Sequence, residues 1–116
     1  MKPASILTPE YMSILYTAFK QLHPFDEYSL PPATKLKFIV TKSKARYGRF
    51  DPESMAIEVS SVSCGHFTTI ISVLLHEMTH LSLYVTKDPG WARHGKSFLT
   101  IKHKYAAFYN LDPKVI

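Results

Sequence analysis

The chain begins with the pattern of an amphipathic helix. Apolar side chains recur at intervals of three and four over residues 9–23, which predicts one buried face: Tyr11, Met12, Leu15, Tyr16, Phe19 and Leu22. Thr8 is placed to cap this helix, and Pro9 suits its first position because proline lacks the N–H that would be unpaired there. Pro24 ends the predicted helix, and Pro31-Pro32 favour an extended segment after it.

Three short segments then alternate between apolar and polar side chains, which predicts strands over residues 36–43, 46–50 and 55–60. The first strand would present Leu36, Phe38 and Val40 on one face, and the third would present Met55, Ile57 and Val59. The last two strands are joined by a predicted turn at residues 51–54, whose sequence is Asp-Pro-Glu-Ser. A small three-stranded sheet follows from this pattern.

The second half of the chain predicts two helices. Residues 66–86 are apolar on nearly all sides, as in a central buried helix, and Lys87-Asp88-Pro89-Gly90 would end it. Residues 96–109 predict a last helix with Asn110 as its stop. The order of helix, small sheet, buried helix and helix indicates an α+β fold, and we expect one domain over residues 1–116.

Composition narrows the class of protein. The chain has 116 residues, of which 46% are hydrophobic and 20% charged, as in a folded globular domain. Its one cysteine, Cys64, excludes an intramolecular disulfide and a cysteine-based zinc ribbon. The most apolar stretch is interrupted by charged and histidine residues, so we expect no membrane span and no signal peptide. The expected setting is the cytoplasm, near the nucleoid, or the nucleus in a eukaryote, and the expected state is a monomer.

The buried helix carries residues that could bind a metal ion and take part in catalysis. Its sequence His76-Glu77-Met78-Thr79-His80 places two histidines four residues apart, about 40° apart around the helix and about 6 Å along it. Both imidazoles can therefore bind one zinc ion. Glu77 flanks that position, where a carboxylate can take a proton from water. The competing interpretation is a pair of core histidines bonded to backbone, with Glu77 at the surface.

A catalytic zinc site needs a third protein ligand and keeps a fourth position for water. Glu77 is the last glutamate in the chain, so a downstream glutamate cannot be the ligand. The remaining downstream candidates are Asp88, His94, His103 and Asp112. Asp88 lies where the helix should end, and His103 lies between two lysines on what reads as a solvated face. We therefore favour His94, which follows a Pro-Gly turn and directly precedes a helix.

The combination of His76-Glu-Met-Thr-His80 with His94-Gly95-Lys96-Ser97-Phe98 resembles the SprT-like (Spartan-type) zinc metalloprotease domain. The resemblance implies a zincin-like fold, one Zn²⁺ held by His76, His80, His94 and water, and Glu77 as general base. It also implies that Gly95 allows a close turn and that Phe98 anchors the last helix. With one cysteine, the chain corresponds to a minimal form without the family's C-terminal zinc ribbon.

That resemblance implies peptide-bond hydrolysis in DNA-associated or DNA-crosslinked proteins. The formal net charge is +5, and six basic residues without an acidic one occupy residues 35–49: Lys35, Lys37, Lys42, Lys44, Arg46 and Arg49. With interleaved aromatic side chains, they form a candidate surface for single-stranded or damaged DNA. The competing interpretation is a solvated sheet edge protected by lysines.

Two other functions stay open from the sequence: a zinc peptidase with a dedicated target unrelated to DNA, and a non-catalytic, zinc-stabilised nucleic-acid-binding module. Trp91 would line the substrate cleft or pack on the core, and Cys64 is expected to be a small packed residue. An additional group that stabilises the oxyanion could be Tyr84, Arg93 or a tyrosine of the sheet. His23 and His66 are expected to lie near helix ends without a partner at ligand spacing.

Overall fold

The computed structural model describes residues 7–64 and 66–111 and has an α+β architecture, as the sequence predicts. Three α-helices and a three-stranded mixed sheet form the fold. Two short 3₁₀ turns connect the first helix to the sheet. In chain order the elements are α1 (Pro9–Phe19), the 3₁₀ turns Phe25–Tyr28 and Ala33–Lys35, β1 (Lys37–Thr41), β2 (Gly48–Asp51), β3 (Ala56–Ser60), α2 (Phe67–Val85) and α3 (Lys96–Phe108).

Helix α1 begins where predicted and ends four residues earlier than predicted. The Thr8 hydroxyl accepts a hydrogen bond from the Tyr11 N–H at 3.0 Å, which confirms the N-cap. Residues 20–23 form a turn instead of a last helical turn, and Leu22 is 41% exposed instead of joining the buried face. Pro24 has no N–H to donate to the Lys20 carbonyl and disfavours a helical conformation at His23, so the predicted last turn does not form.

The sheet has the order β1-β3-β2, with β3 parallel to β1 and antiparallel to β2. The strands lie within the predicted segments or shift by one residue, and the predicted turn at residues 51–54 joins β2 to β3. Phe38, Ile57 and Phe50 form one row across the sheet, and Val40, Val59 and Gly48 form the next. Because side chains alternate along a strand, these two rows share the inner face of the sheet.

Helix α2 lies at the centre of the domain and contacts β2, β3, both other helices and the first 3₁₀ turn. Its apolar side chains pack on several sides, as predicted, and Leu74, Leu75, Met78 and Leu81 are fully buried. The helix ends at Val85, and Lys87 follows with a positive φ of 61°. Asn110 has a φ of 58° directly after α3, which confirms it as a helix stop. Within the described residues, no helix combines the length and apolarity needed to cross a membrane.

Gly48 allows strand β2 to approach helix α2 more closely than any other residue type would. A Cβ atom built on Gly48 lies 2.5 Å from Val73 Cγ1, 2.8 Å from the Glu58 carbonyl oxygen and 3.3 Å from Glu77 Oε2. The carbonyl belongs to the neighbouring strand and cannot move independently. Gly48 thus sets the distance between the sheet and the helix segment that carries Glu77.

Gly48→Ala is therefore expected to destabilise the fold by about 1–3 kcal/mol, the usual range for overpacking a filled interior. The measurement is urea-induced unfolding of the two proteins, followed by circular dichroism. Gly95→Ala is the matched control, because a Cβ on Gly95 meets no atom within 4 Å and its φ of −85° suits alanine. Gly95→Ala should change the free energy of unfolding by less than about 1 kcal/mol. Equal stability of Gly48→Ala and the unmodified protein would show that the strand and helix are not tightly apposed.

Candidate metal centre

The side chains of His76, His80 and His94 converge on one point. Their Nε2 atoms form a triangle, with 3.1 Å between His76 and His94, 3.2 Å between His80 and His94, and 3.3 Å between His76 and His80. The first two ligands come from adjacent turns of α2, and His94 comes from the loop that leads into α3. The structure thus brings together the three histidines that the sequence predicts.

This triangle has the dimensions of a metal site. Zinc–nitrogen bonds of about 2.0–2.1 Å with tetrahedral angles place neighbouring nitrogens about 3.3–3.4 Å apart. The observed separations of 3.1–3.3 Å come close to those values. Three imidazole nitrogens are also a donor set that zinc commonly takes in catalytic sites, with one coordination position left over. The residues therefore fit a metal ion, and zinc is the metal that the donor set favours.

A backbone carbonyl fixes the orientation of His80. Its Nδ1 lies 2.7 Å from the carbonyl oxygen of Trp91. A carbonyl oxygen can only accept, so Nδ1 carries the proton and donates it. Nε2 is then the unprotonated nitrogen, with its lone pair directed to the other two histidines. No sequence pattern predicts this contact, because a backbone acceptor does not depend on the type of side chain.

Phe98 lies beneath the three histidines. Its ring centroid is 4.7 Å from that of His94 and 4.8 Å from those of His76 and His80. The side chain is 2% exposed and belongs to the hydrophobic core. The prediction that Phe98 anchors the last helix in the core is confirmed, and the same ring also supports the imidazoles.

The environment of His76 and His80 keeps both imidazoles uncharged at neutral pH. Burial, together with the neighbouring His80, His94 and Lys102, lowers the pKa of His76 to about 3. Burial also lowers the pKa of His80, against an opposing effect of its hydrogen bond to Trp91. Neutral imidazoles at pH 7 have the free lone pairs that a metal ion requires.

Glu77 is buried beside this site, with 5% of its surface exposed. The pKa of its carboxyl group is raised to about 7: burial raises it most, a backbone hydrogen bond with Phe50 opposes this, and the charge of Glu58 adds to the increase. The competing interpretation, in which Glu77 is a surface residue, is wrong. A carboxyl group with a pKa near neutrality can both accept and return a proton at physiological pH.

A cleft of about 570 Å³ opens next to the metal-binding triangle. One wall is the outer side of α2, and the other is the segment that leads into β2. Ligand-binding pockets commonly have volumes of about 300–1,000 Å³. The residues that line the cleft are Arg46, Tyr47, Gly48, Thr69, Ser72, Val73, His76 and Glu77. Of these, Thr69, Ser72 and Val73 were not predicted, because hydroxyl and small apolar residues on a helix give no chemical signature.

Trp91 does not line this cleft. Its indole packs against Tyr84, with ring centroids 5.3 Å apart, and against Phe50, at 6.1 Å. Phe50 and Tyr84 also contact one another at 5.6 Å. Of the two alternatives for Trp91, packing on the core is correct, and this aromatic cluster holds the loop whose carbonyl orients His80. Among the tyrosines considered as oxyanion stabilisers, Tyr84 belongs to that cluster, whereas Tyr47 lines the cleft.

The other candidate ligands lie apart from the triangle. The Asp88 carboxylate accepts a hydrogen bond from the Gly90 N–H at 2.7 Å, and His103 is exposed on α3. Asp112 lies outside the described residues. The prediction that Gly95 is needed for a close turn is wrong. Its φ is negative and a Cβ there would meet no atom within 4 Å, so the turn does not require glycine.

His23 does have partners, contrary to the expectation. Its Nδ1 lies 3.3 Å from Glu27 Oε1, and Asp26 completes a group of three possible ligands. The two acidic side chains are exposed, and Glu27 Oε2 already faces the Lys104 ammonium group at 3.5 Å. The prediction missed this group because the 3₁₀ turn after Pro24 brings residues 26 and 27 back towards His23. Cys64 is buried as predicted, and burial raises the pKa of its thiol.

The six basic residues of the stretch 35–49 are all exposed and do not form one surface. Lys42, Lys44 and Arg46 lie in the loop between β1 and β2, at one end of the sheet. Lys35 and Lys37 lie at the opposite end, because Lys37 is in register with Ala56 and Asp51. Arg49 is on the outer face of the sheet and pairs with Asp51 at 3.9 Å. Of the six, only Arg46 lines the cleft.

Three converging histidines that could hold a metal ion, two on buried helix α2 and one in the loop before α3, with Glu77 next to the first and a cleft beside both, are the arrangement of a metalloprotease-type domain. Comparison with known families agrees with this class. The model of the SprT-like family matches residues 15–115, so the chain belongs to the SprT-like family. Searches of curated proteins and of solved structures gave no significant match.

The geometry predicts that the three histidines bind one Zn²⁺ ion together. His94→Ala removes one of three donors and is expected to weaken zinc binding by at least about 100-fold, more than the 10–100-fold typical of losing an outer contact. Competition with a chromogenic chelator measures this affinity. His103→Ala is the matched control, since it removes an exposed histidine from α3, and should bind zinc like the unmodified protein. Equal affinities of the two variants would place the ion elsewhere.

Proposed function

We propose that the protein is a zinc-dependent endopeptidase that hydrolyses peptide bonds at the cleft beside the three histidines. The observation that carries this proposal is the juxtaposition of two groups. His76, which contributes one corner of the Nε2 triangle, and the buried Glu77 are consecutive residues of α2, and both line the same cleft. Membership of the SprT-like family supports the same class of reaction.

His76, His80 and His94 would hold the ion through their Nε2 atoms. When bound, zinc supplies a Lewis acid that polarises a carbonyl oxygen and lowers the pKa of water. The protein contributes orientation: the Trp91 carbonyl fixes the tautomer of His80, and Phe98 supports all three rings. A purely structural zinc site closes its coordination with protein ligands, whereas this triangle offers three histidines and adjoins a cleft.

Glu77 is the general base in this proposal. Its carboxylate lies on the cleft side of α2, with Oε2 directed to Gly48 of strand β2. From there it would take a proton from the attacking water and deliver it to the leaving nitrogen. Gly48 matters for this step because any Cβ at that position would displace the carboxylate or the strand.

Glu77→Gln is expected to retain zinc and to lower the rate of peptide cleavage by about 10²–10⁴-fold, the usual contribution of general acid–base catalysis. The amide keeps the shape of the side chain but cannot accept the proton. Cleavage of an unfolded protein substrate, followed by gel electrophoresis, measures the rate, and elemental analysis measures the zinc content.

Glu53→Gln provides the control for Glu77→Gln, because Glu53 is an exposed carboxylate in the turn between β2 and β3. It should cleave at the unmodified rate. Wild-type activity in Glu77→Gln with bound zinc would refute the peptidase mechanism given above.

The proposal extends to the substrate: proteins that are bound or crosslinked to DNA, with single-stranded DNA as a partner. The loop between β1 and β2 supports this extension. Lys42 and Lys44 are exposed there, and neither forms an ion pair within the described part of the chain. Tyr47, 61% exposed, lies at the end of the loop and offers a ring on which a base could stack. A location beside DNA, in the cytoplasm or nucleus, belongs to the same proposal.

Single-stranded DNA is expected to bind this loop and to increase cleavage of a DNA-binding substrate protein. Each phosphate contact contributes about 0.7 to the slope of log affinity against log salt for single strands. The double variant Lys42→Ala/Lys44→Ala should therefore lower that slope by about 1.4 and reduce the stimulation. Fluorescence anisotropy of a labelled oligonucleotide at several salt concentrations measures it.

Lys35→Ala/Lys37→Ala removes the same charge from the opposite end of the sheet and should leave the slope and the stimulation unchanged. Loss of binding in this control alone would move the DNA surface to the other end of the sheet. Cleavage that does not respond to DNA in any variant would favour a dedicated protein target without DNA.

A further inference from the structure

The cleft beside the metal centre has a cationic lining residue that the proposed reaction does not use. His76 and Glu77 line the cleft from helix α2, and Arg46 lines it from the segment before β2. Thr69, Ser72 and Val73 contribute the opposite wall from helix α2. A polypeptide whose scissile bond lies at Glu77 can therefore place neighbouring side chains against this wall and against Arg46.

The Arg46 guanidinium has no ionic partner among the described residues. Within residues 7–64 and 66–111, the ion pairs join His23 and Lys104 to Glu27, and Arg49 to Asp51. Arg46 is exposed and lines the cleft without such a pair. A guanidinium binds a carboxylate through two parallel hydrogen bonds, so an unpaired one at a cleft is suited to an acidic side chain.

The backbone that carries Arg46 is held in place. Its N–H donates to the Ser43 hydroxyl at 3.3 Å. The Ser43 carbonyl in turn accepts hydrogen bonds from the hydroxyls of Ser60, at 2.6 Å, and Ser63, at 3.1 Å. The carbonyl of Tyr47 accepts from the Ser60 N–H at 2.8 Å. These bonds hold the backbone on both sides of Arg46 against the end of β3. The backbone position of Arg46 relative to the cleft is therefore fixed before a ligand binds.

The remaining lining groups favour a negative ligand. The Thr69 hydroxyl forms no hydrogen bond within the described structure and can donate one to a ligand, and it lies in the first turn of α2, which contains no acidic residue. The one acidic residue that lines the cleft is Glu77, at its catalytic end. An acidic side chain held by Arg46 would meet a cation and a hydroxyl donor, whereas a basic side chain would meet no anion there.

We propose that the Arg46 end of the cleft is a specificity subsite that selects an aspartate or glutamate side chain of the substrate polypeptide, close to the scissile bond. This inference rests on the proposed peptidase function and adds a substrate class to it. Arg46 is the specificity-determining residue, and the hydroxyl of Thr69 is the second contact.

The test uses zinc-loaded full-length protein and peptides that differ at one position, scanned over three residues on each side of the cleaved bond. The position carries Glu, its neutral isostere Gln, or Lys. At one position, kcat/KM for the Glu peptide should exceed that for the Gln peptide by about tenfold, as expected for a charged hydrogen bond. Arg46→Ala should bring the two within about twofold, and Arg46→Glu should favour the Lys peptide.

Arg49→Ala is the matched control, because Arg49 is an exposed arginine three residues away that points to the outer face of the sheet and pairs with Asp51. It should keep the preference for the acidic peptide. A protein that cleaves all peptides without regard to charge, or that keeps its preference in Arg46→Ala, would overturn the subsite and leave the peptidase function intact.

A binding measurement keeps the inference testable without turnover. Fluorescence anisotropy with zinc-loaded Glu77→Gln and the same labelled peptides should show tighter binding of the Glu peptide than of the Gln peptide, and Arg46→Ala should abolish the difference. Equal binding of both peptides would overturn the subsite, whether or not the unmodified protein cleaves them. Absence of cleavage by the unmodified protein would separately refute the proposed function. Single-stranded DNA could also displace the Gln and Glu peptides equally. That result would show that Arg46 binds a DNA phosphate and not a peptide carboxylate.

Discussion

Three imidazoles place their Nε2 atoms 3.1–3.3 Å from one another, and this close approach is the constraint on which the rest of the structure depends. The Nδ1–H of His80 donates a hydrogen bond to the Trp91 carbonyl oxygen, so its Nε2 carries a lone pair. A proton between two nitrogens satisfies one pair at a time, whereas a cation at the centre satisfies all three. Burial lowers the pKa of His76 and His80, so protonation does not relieve the crowding at neutral pH.

The fold supports this arrangement from three sides. Helix α2 supplies the four-residue spacing, Phe98 of α3 lies under the rings, and the aromatic cluster of Phe50, Tyr84 and Trp91 holds the loop before His94. Strand β2 closes the fourth side at Gly48, where the sheet comes nearest to Glu77. The same strand and its preceding loop then form the wall of the cleft. Metal centre, base and cleft are therefore parts of one packed unit.

Much of this could be predicted from the sequence because the relevant signals are local. The spacing of His76 and His80, the alternation in the strands and the turn at residues 51–54 each depend on neighbouring residues, and all were confirmed. His94 could be selected because few ligand types remained downstream of α2. The contacts that orient these groups could not be predicted. The Trp91 carbonyl is a backbone atom, and the need for glycine at position 48 arises from packing between distant segments.

Two other expectations differ from the structure, because a local sequence pattern does not determine how its residues are arranged in three dimensions. The apolar stripe continued to Leu22, but α1 ends at Phe19, ahead of Pro24. The six basic residues lie close together in sequence, yet strand β1 separates Lys37 from Lys42, at opposite ends of the sheet. Their proximity in sequence indicated one DNA-binding surface. The register of β1 against β3 instead places the basic residues in groups at the two ends of the sheet. The zincin-like fold that the family resemblance implies stays a prediction for this chain.

Binding of one metal ion by the three histidines, next to Glu77, is the proposal on which the assigned function depends. It can be tested with crystals of the zinc-loaded protein measured on both sides of the zinc absorption edge. One anomalous peak is expected at about 2.0–2.1 Å from the Nε2 atoms of His76, His80 and His94. A peak at His23, Asp26 and Glu27 instead, or no peak at the three histidines, would contradict it.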